Sequence, residues 1–331
     1  MIKCSYQHTT AQAQRADCTD SHVMSVYRLF SRSALGYGLV AYLISFTSDA
    51  QDMDPRTYAN TPVGLNFLIA GYAHTEGGVA TDPALPIDNT RIELNSGVLA
   101  YARAIDIYGK SAKFDVVLPY TALEGTATVM DQERNREVSG IADPRFHFSW
   151  NFFGAPALSV KEFAAYQQDT IAGFNLEVSV PGGQYDAKKL VNLGTNRWSI
   201  KPELGISKRV GPVTLELATG VRFNTDNDDF FGGKLRSQDP IYSFQGHLIY
   251  SLGDGIWAAA DALFYTGGQT RVDGLKNNDN LENVRAGGTL SLPVNRYNSV
   301  KLYYSTAVSG SRGSQFDVTG IAWQYRFGGG L

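Results

Sequence analysis

A histidine and a serine stand two residues apart, at His147 and Ser149, within a stretch rich in aromatic residues. A histidine near a serine can act as the base that activates a serine nucleophile, so the pair raises the chemistry of lipid hydrolysis. A membrane enzyme of that kind needs its serine exposed to lipid, an asparagine that orients the histidine, and an oxyanion site. In a strand, both residues share the polar face with Arg145, so hydrolysis is the less favoured reading.

A second candidate is the acidic run that contains Asp226, Asp228 and Asp229. Clusters of oxygen ligands suit Ca²⁺ or Mg²⁺, and such an ion would bridge lipopolysaccharide phosphates. The spacing does not fit an EF-hand loop, and a solvated acidic turn is the commoner structure for such a run. The run is therefore a weak cation candidate, and no other metal site is expected.

The residues from Arg145 to Phe152 alternate without a break between polar and large apolar side chains. Because a strand directs successive side chains to opposite faces, this one presents an apolar face and a hydrophilic face. A soluble sandwich explains the pattern if the aromatic rings face its core. A membrane barrel explains it equally well if the rings face lipid and the polar groups face a wet interior.

The same alternation recurs along the chain and predicts an all-β protein. The predicted strands are residues 63–74, 91–107, 111–124, 140–153, 170–181, 198–209, 213–225, 241–251, 256–266, 283–293, 299–309 and 317–327. Residues 159–167 are the exception and predict two helical turns capped by Ser159.

Short and long connections alternate between these strands, with 154–169 as the one long member of the short class. Outer-membrane barrels have short periplasmic turns and long extracellular loops, whereas a soluble Greek key has no reason to sort its loops. Tyrosine and tryptophan residues also lie near many strand ends, as interfacial girdles require. We therefore predict a transmembrane antiparallel up-and-down β-barrel of 12 strands, with both termini in the periplasm.

The start of the chain has the features of a secretory signal. Arg28 and Arg32 precede the apolar run 34–46, and Ala50 ends a small-residue cleavage motif. We assign residues 1–50 to a leader with a possible true start at Met24, residues 51–62 to a short periplasmic tail, and residues 63–331 to the barrel. The chain's two cysteines, Cys4 and Cys18, both lie in the leader, so the mature chain has none.

Composition excludes some functions. The net charge of −3 gives no support to a nucleic-acid partner, and the chain has no run of 18 apolar residues that would predict a transmembrane helix. A spanning strand needs only about 9–11 alternating residues, so this absence does not argue against a membrane. No motif in the sequence calls for a cofactor.

The polar faces of the predicted strands mix positive and negative side chains, including Glu93, Arg103 and Asp261. Paired charges inside a narrow barrel brace the wall or line the solute pathway. The candidates for contacts along this pathway are Arg145, His147, Lys201, Glu203, Glu216, Arg222, His247 and Arg285.

Several motifs resemble a family of outer-membrane transporters named for the MetA pathway of phenol degradation. They are Gly64-Leu65-Asn66-Phe67 with Ala70-Gly71-Tyr72, Asp115 to Tyr120, Gly140 to Arg145, Gly194 to Trp198, and Ala322 to Phe327. The resemblance covers nearly all of residues 62–331. It implies a β-barrel linked by name to the uptake of aromatic growth substrates.

We therefore expect a monomeric channel in the outer membrane of a Gram-negative bacterium, which takes up small hydrophobic or aromatic molecules without catalysis. A structural or adhesive barrel is the alternative, with a lipid hydrolase behind it. The expected partners are outer-membrane lipid and lipopolysaccharide, a small-molecule substrate, and the barrel-assembly machinery, which would recognise the last strand. Because the tail is too short for a long N-terminal plug, the loops 182–197 and 226–240 are expected to form any gate.

Overall fold

The computed structural model describes residues 53–79, 87–129, 132–312 and 314–331. The leader, residues 1–50, and its proposed cleavage site lie outside the described residues. None of the helices in the described part is long and apolar enough to cross a membrane.

The wall of the barrel consists of twelve strands in the described part of the chain. They are β1 (Leu65–Val79), β2 (Ile87–Ile107), β3 (Lys110–Val129), β4 continued by β5 (Gln132–Ile141 and Arg145–Phe153), β6 (Thr170–Ser179), β7 (Ser199–Val210), β8 (Val213–Asn224), β11 (Ile241–Gly253), β12 (Ile256–Gly267), β15 (Leu281–Pro293), β16 (Asn298–Arg312) and β17 (Ser314–Gly328). Four short strands lie in the extracellular loops: β9 (Asn227–Phe230), β10 (Lys234–Gln238), β13 (Thr270–Val272) and β14 (Leu275–Lys276).

Each wall strand pairs in antiparallel fashion with its neighbours along the chain, and β1 pairs with β17 to close the barrel. Strands β4 and β5 count as one because both pair with β3, on either side of a break at residues 142–144. Pro144 lies in this break, where its missing N–H removes no ladder hydrogen bond. The twelve predicted strands and the up-and-down topology are confirmed.

On most strands of the wall, the outward and inward faces are those that the alternation predicts. Large apolar side chains point outward and are exposed, for example Leu204 at 56% and Ile321 at 47%. Glu216 and Arg285 point inward and are 1% and 2% exposed. A soluble sandwich would bury the first set and expose the second, so this distribution is that of a barrel in lipid.

The connection between β5 and β6 contains the helix α1 (Val160–Phe163), which is shorter than the predicted segment 159–167. Ser159 caps it as predicted, in a capping box with Glu162. The Ser159 hydroxyl and amide both donate to the Glu162 carboxylate and hold its pKa below the usual range.

The long extracellular loops contain a second sheet, which alternation alone does not predict. Its four strands have the order β14-β13-β10-β9 and join the loop that follows β8 to the loop that follows β12. Arg271 donates two hydrogen bonds to Asp239 across these loops, at 2.6 and 3.0 Å. A third loop joins them, because the Tyr185 hydroxyl donates to the Asp229 carbonyl oxygen.

Candidate functional site

The inside of the barrel, the lumen, contains all eight residues that the sequence analysis proposes for the solute pathway. They come from β5 (Arg145, His147), β7 (Lys201, Glu203), β8 (Glu216, Arg222), β11 (His247) and β15 (Arg285). The strand register aligns them in rows across the wall. One row, for example, runs from Asp115 through His147 and Glu177 to Lys201 on four successive wall strands.

Both ring nitrogens of His147 are bound by carboxylates. Nδ1 lies 2.6 Å from Asp115 Oδ2, and Nε2 lies 3.0 Å from Glu177 Oε2. The Arg222 guanidinium lies 3.2 Å from the other oxygen of Glu177. The Ser149 hydroxyl instead donates to Asn175 Oδ1 at 3.0 Å. The His147–Ser149 pair therefore does not have the geometry of a base and its nucleophile.

A second polar group lies on the opposite wall. His247 Nδ1 lies 2.7 Å from Asp261 Oδ1, and the Thr289 hydroxyl donates to Asp261 Oδ2 at 3.0 Å. Arg285 donates to the Ser305 hydroxyl at 2.9 Å. These side chains brace adjacent strands with partners that satisfy most of their hydrogen bonds, which is the usual requirement for buried polar groups.

The residues before β1 lie inside the lumen, not in the periplasm. The N-terminal segment, residues 53–61, contacts the inner wall at several strands. The Arg56 amide donates to Glu216 Oε2 at 2.8 Å, and the Tyr58 hydroxyl donates to Glu203 Oε1 at 2.7 Å. Lys113 Nζ donates to the Thr57 carbonyl oxygen at 2.7 Å. The assignment of residues 51–62 to a periplasmic tail is therefore wrong for the part that the structure describes.

Further contacts hold both ends of the N-terminal segment. Asp54 pairs with Lys301 at 2.9 Å, and the Arg56 guanidinium lies over the Trp257 ring at 5.3 Å. At the other end, the Asn60 amide donates to the Pro156 carbonyl oxygen at 3.1 Å. Hydrogen bonds and ion pairs carry most of this attachment, so polar partners decide where the segment rests.

The inner wall is divided into a polar part and an apolar part. The polar part is built by β5 to β8, β11, β12, β15 and β16, and it holds the N-terminal segment. The apolar strip comprises the inward faces of β1, of β2 up to Ala104, of β3 from Val117 onward, and of β17 from Phe316 to Ala322. Its buried apolar residues are Ala73, Ile92, Leu94, Ala100, Ala104, Leu123, Phe316 and Val318. Thr75, Ser96 and Thr121 interrupt it, and the hydroxyls of Ser96 and Thr121 lie 2.9 Å apart.

Two charged residues of β2 do not face the lumen. Glu93 and Arg103 share the outward face with the exposed Leu99 and Tyr101, toward the two ends of the strand. The expectation that they belong to the interior is wrong, because the inner side of β2 is apolar and its charges lie where the outer surface approaches water.

The acidic run keeps its place in an extracellular loop. Asp228 and Asp229 lie on β9, and all three carboxylates are exposed. In the residues that the structure describes, no group of three or more His, Cys, Asp or Glu side chains is placed to hold a metal ion. Asn227 takes the buried position in this turn, where its amide donates to the Tyr185 hydroxyl. The geometry favours the structural reading of the run.

A cleft of about 600 Å³ opens near the extracellular ends of β1, β2, β16 and β17. The β16–β17 ladder ends at Ser305 opposite Val318, although both strands continue. Thr306 Oγ1 donates to Asp317 Oδ1 across the gap at 2.5 Å. Glu76 and Arg91 also line the cleft, so its surface is mainly polar and does not extend the apolar strip.

The amino-acid sequence matches a known protein family. Residues 73–325 match the family described as the MetA pathway of phenol degradation. No curated protein matches the chain at the sequence level.

Solved structures give the fold. The COG4313 outer membrane channel from Pseudomonas putida F1 superposes with a TM-score of 0.71 at 19% identity, over 83% of this chain and 99% of that one. The β domain of the Bordetella autotransporter BrkA gives 0.48 at 10% identity, over 80% and 100% of the two chains. The transport unit of AIDA-I from Escherichia coli gives 0.48 at 9% identity, over 89% and 98%. The superposition on the COG4313 channel agrees with the closed β-barrel described above.

Proposed function

The chain belongs to the family described as the MetA pathway of phenol degradation, and we propose that it is an outer-membrane channel for the uptake of small hydrophobic or aromatic molecules, without catalysis. The observation that carries this proposal is the apolar strip. A channel for hydrophilic solutes has a polar interior on all sides, whereas here a set of adjacent strands turns small and apolar side chains inward. The membership of the family supports the aromatic cargo.

The apolar strip gives a hydrophobic molecule a mainly apolar surface along the barrel, interrupted by the hydroxyls of Thr75, Ser96 and Thr121. Each Å² of apolar surface that such a molecule keeps away from water is worth roughly 25 cal/mol. A solute the size of toluene therefore has a reason to follow β17, β1 and β2 and to avoid the charged wall opposite. Bulky polysaccharides are unsuited to a barrel of this strand number, because its lumen is narrow.

We further propose that the N-terminal segment gates this path. It occupies the polar part of the lumen and is attached mainly through polar contacts, which can be exchanged for water when the segment moves. The loops 182–197 and 226–240 remain the predicted outer gate, and deleting either is expected to raise single-channel conductance. Both elements act on the same pathway from different ends.

The test is a charge placed on the apolar strip. Val98 faces the lumen in the middle of β2, and Ser179 faces it from the polar part. In porin-deficient Gram-negative cells, Val98→Asp is expected to reduce protein-dependent uptake of toluene by about tenfold or more. A toluene molecule that follows the apolar strip would have to remove water from the new carboxylate, and the desolvation of an unpaired charge is costly. Ser179→Asp is the matched control and should retain uptake. Equal uptake by both variants would contradict the proposal.

The exposed apolar side chains of the outer face indicate what the barrel contacts in the membrane. We propose a monomer in contact with outer-membrane lipid and lipopolysaccharide, whose last strand is read by the barrel-assembly machinery. On that strand Trp323, Tyr325 and Phe327 stack outward, with ring centroids 6.2 and 5.6 Å apart. Phe327→Ala is expected to lower the assembled fraction of the protein in isolated outer membranes, while Ala322→Ser on the inner face leaves it unchanged.

A further inference from the structure

The ring of Tyr58 occupies a slot in the inner wall that only glycine permits. Gly173 on β6 and Gly205 on β7 are direct cross-strand partners. A Cβ atom at Gly205 would lie 2.1 Å from Tyr58 Cε2, and one at Gly173 would lie 2.8 Å from Tyr58 Cδ1. Both distances are far inside van der Waals contact, so any larger residue at these positions would expel the ring.

Most of the other residues that line the slot are apolar. Ala155, Ile171 and Ala218 form a buried cluster with Tyr58, which is 2% exposed. We call the space enclosed by Ala155, Ile171, Gly173, Gly205 and Ala218 the Tyr58 slot. It holds the six-membered ring of Tyr58.

A buried carboxylate closes the far end of the Tyr58 slot. Glu203 is 3% exposed and accepts the Tyr58 hydroxyl at 2.7 Å. Its other oxygen accepts from Gln245 Nε2 at 2.7 Å, and Lys201 Nζ lies 3.4 Å away. Because these partners fix the carboxylate, it is a pre-positioned acceptor for a phenolic O–H, and a charged acceptor makes the stronger kind of hydrogen bond.

A further polar atom is directed at the slot. Asn151 is 2% exposed, and its Oδ1 lies 2.5 Å from the position of a Cβ at Gly173. Within the described part of the chain, this oxygen accepts no hydrogen bond. The Asn151 side-chain amide nitrogen donates to the Tyr58 carbonyl oxygen. The side-chain oxygen is therefore the atom of Asn151 that can accept a hydrogen bond from a group in the slot.

All the groups that recognise the ring belong to the barrel wall or to its periplasmic turn, and the ring itself belongs to the displaceable N-terminal segment. The wall therefore carries a recognition site for a phenol that is filled by a phenol of the same chain. We propose that the Tyr58 slot binds small phenols, and that a bound phenol and the seated N-terminal segment compete for it. This rests on the proposed function, because the phenol is the cargo whose arrival would release the segment.

The probe is 4-methylphenol, which is the tyrosine side chain without its backbone. Its binding to the folded barrel is measured by equilibrium dialysis for wild type, Tyr58→Ala, Tyr58→Phe and the double variant Tyr58→Ala with Gly205→Ala. Toluene, which lacks the hydroxyl, is measured alongside. Heat-modifiable migration on gels shows that each variant has folded.

Tyr58→Ala is expected to bind one equivalent of 4-methylphenol at least about tenfold more tightly than wild type, because a tethered competitor acts at millimolar effective concentration. It should prefer 4-methylphenol to toluene by at least about tenfold, the value of a hydrogen bond to a charged acceptor. Tyr58→Phe keeps a ring on the N-terminal segment but loses the hydrogen bond to Glu203, so it should bind 4-methylphenol more tightly than wild type and less tightly than Tyr58→Ala. Gly205→Ala in the Tyr58→Ala background should abolish the gain, which separates the slot from partition into detergent.

Equal binding by Tyr58→Ala, wild type and the double variant would overturn the slot, even if whole-cell uptake of aromatic solutes persists. Conversely, slot binding without any protein-dependent uptake would leave the site standing and refute the proposed function. If Tyr58→Ala does not fold, the Ala59→Cys variant decides. Ala59 is 8% exposed, and 4-methylphenol, but not toluene, should accelerate its modification by a maleimide. No acceleration would then reject the competition.

Discussion

The attachment of the N-terminal segment should depend strongly on one buried carboxylate, Glu216. This side chain is 1% exposed and accepts the Arg56 amide at 2.8 Å. In Glu216→Leu the backbone amide of Arg56 has no hydrogen-bond acceptor while the segment is seated, and it is buried away from water. The seated state is therefore less stable than in the wild type. The segment should therefore leave the wall more often than in the wild type.

The size of the effect follows from the loss of one charge-assisted hydrogen bond. Such a bond contributes about 1.5–3 kcal/mol, and an abandoned buried donor costs a similar amount, so we take about 2 kcal/mol as the net loss of the seated state. At 1.4 kcal/mol for each factor of ten, the released population rises about 30-fold. Glu216→Gln retains a neutral acceptor and should give an intermediate increase.

The assay uses the absence of cysteine from the proposed mature chain. Ala59→Cys places a single thiol on the N-terminal segment, where it is protected as long as the segment is seated. The rate of maleimide modification reports the released population, and Glu216→Leu should raise it about 30-fold. Lys208→Met is the control, because Lys208 pairs with Asp169 outside the lumen. An unchanged rate in Glu216→Leu, or an equal rise in the control, would refute the role of Glu216.

Three further predictions follow from the same structure. Leu204→Lys puts a charge on the lipid face and should lower the free energy of unfolding in lipid vesicles by about 2–4 kcal/mol, whereas Leu204→Thr should cost less. Asp143 accepts three hydrogen bonds from the loop 182–197, so Asp143→Ala should weaken that loop by about 3 kcal/mol and increase its cleavage by added protease; an unchanged cleavage rate would contradict this. The Arg271 guanidinium, which donates to Asp239, holds the pKa of that carboxyl below its usual range. The pair should therefore persist at pH values where a free aspartate begins to protonate and should break only as the pH falls through the lowered pKa, which amide exchange of the extracellular sheet would report.

The wall of the barrel could be predicted from the sequence because its signal is local. A strand in lipid must alternate, and a one-residue slip would put every charge into hydrocarbon. The alternation from Arg145 to Phe152 and the girdle residues near strand ends therefore predict both the strands and their outward faces. The break at residues 142–144 could not be predicted from alternation alone, and the pattern changes phase across it: Ile141 faces outward beside Tyr120, whereas Arg145 faces inward beside Val117.

The placement of the N-terminal segment could not be predicted, because nothing local determines it. Residues 53–61 have no periodicity, and their partners Glu203, Glu216 and Lys301 lie between about 140 and 250 residues away. One signal was available in principle. Gly173 and Gly205 interrupt the inward faces of two predicted strands, and a glycine in a strand marks the close approach of another group.

The apolar strip was missed for a different reason. The polar face of a predicted strand is expected to be its inner face, and on β2 this rule assigns Glu93 and Arg103 to the wrong side. Where both faces of a strand are apolar or small, alternation indicates a strand but does not say which face is inward. Leu94 faces inward and is buried, whereas Leu99 faces outward and is exposed. The pairing of β2 with its neighbours in the closed barrel decides which of these two apolar faces is the inner one.

The division of the lumen into two parts explains how a plugged barrel can serve a hydrophobic cargo. If the N-terminal segment lay on the apolar strip, a cargo molecule would have to replace the same apolar contacts, and the segment, being tethered, would win. It lies on the polar part instead, where its ion pairs and hydrogen bonds can be taken over by water and by the wall residues themselves. The apolar strip stays intact when the segment moves. At the Tyr58 slot, cargo and segment compete through the same chemical group, a phenol.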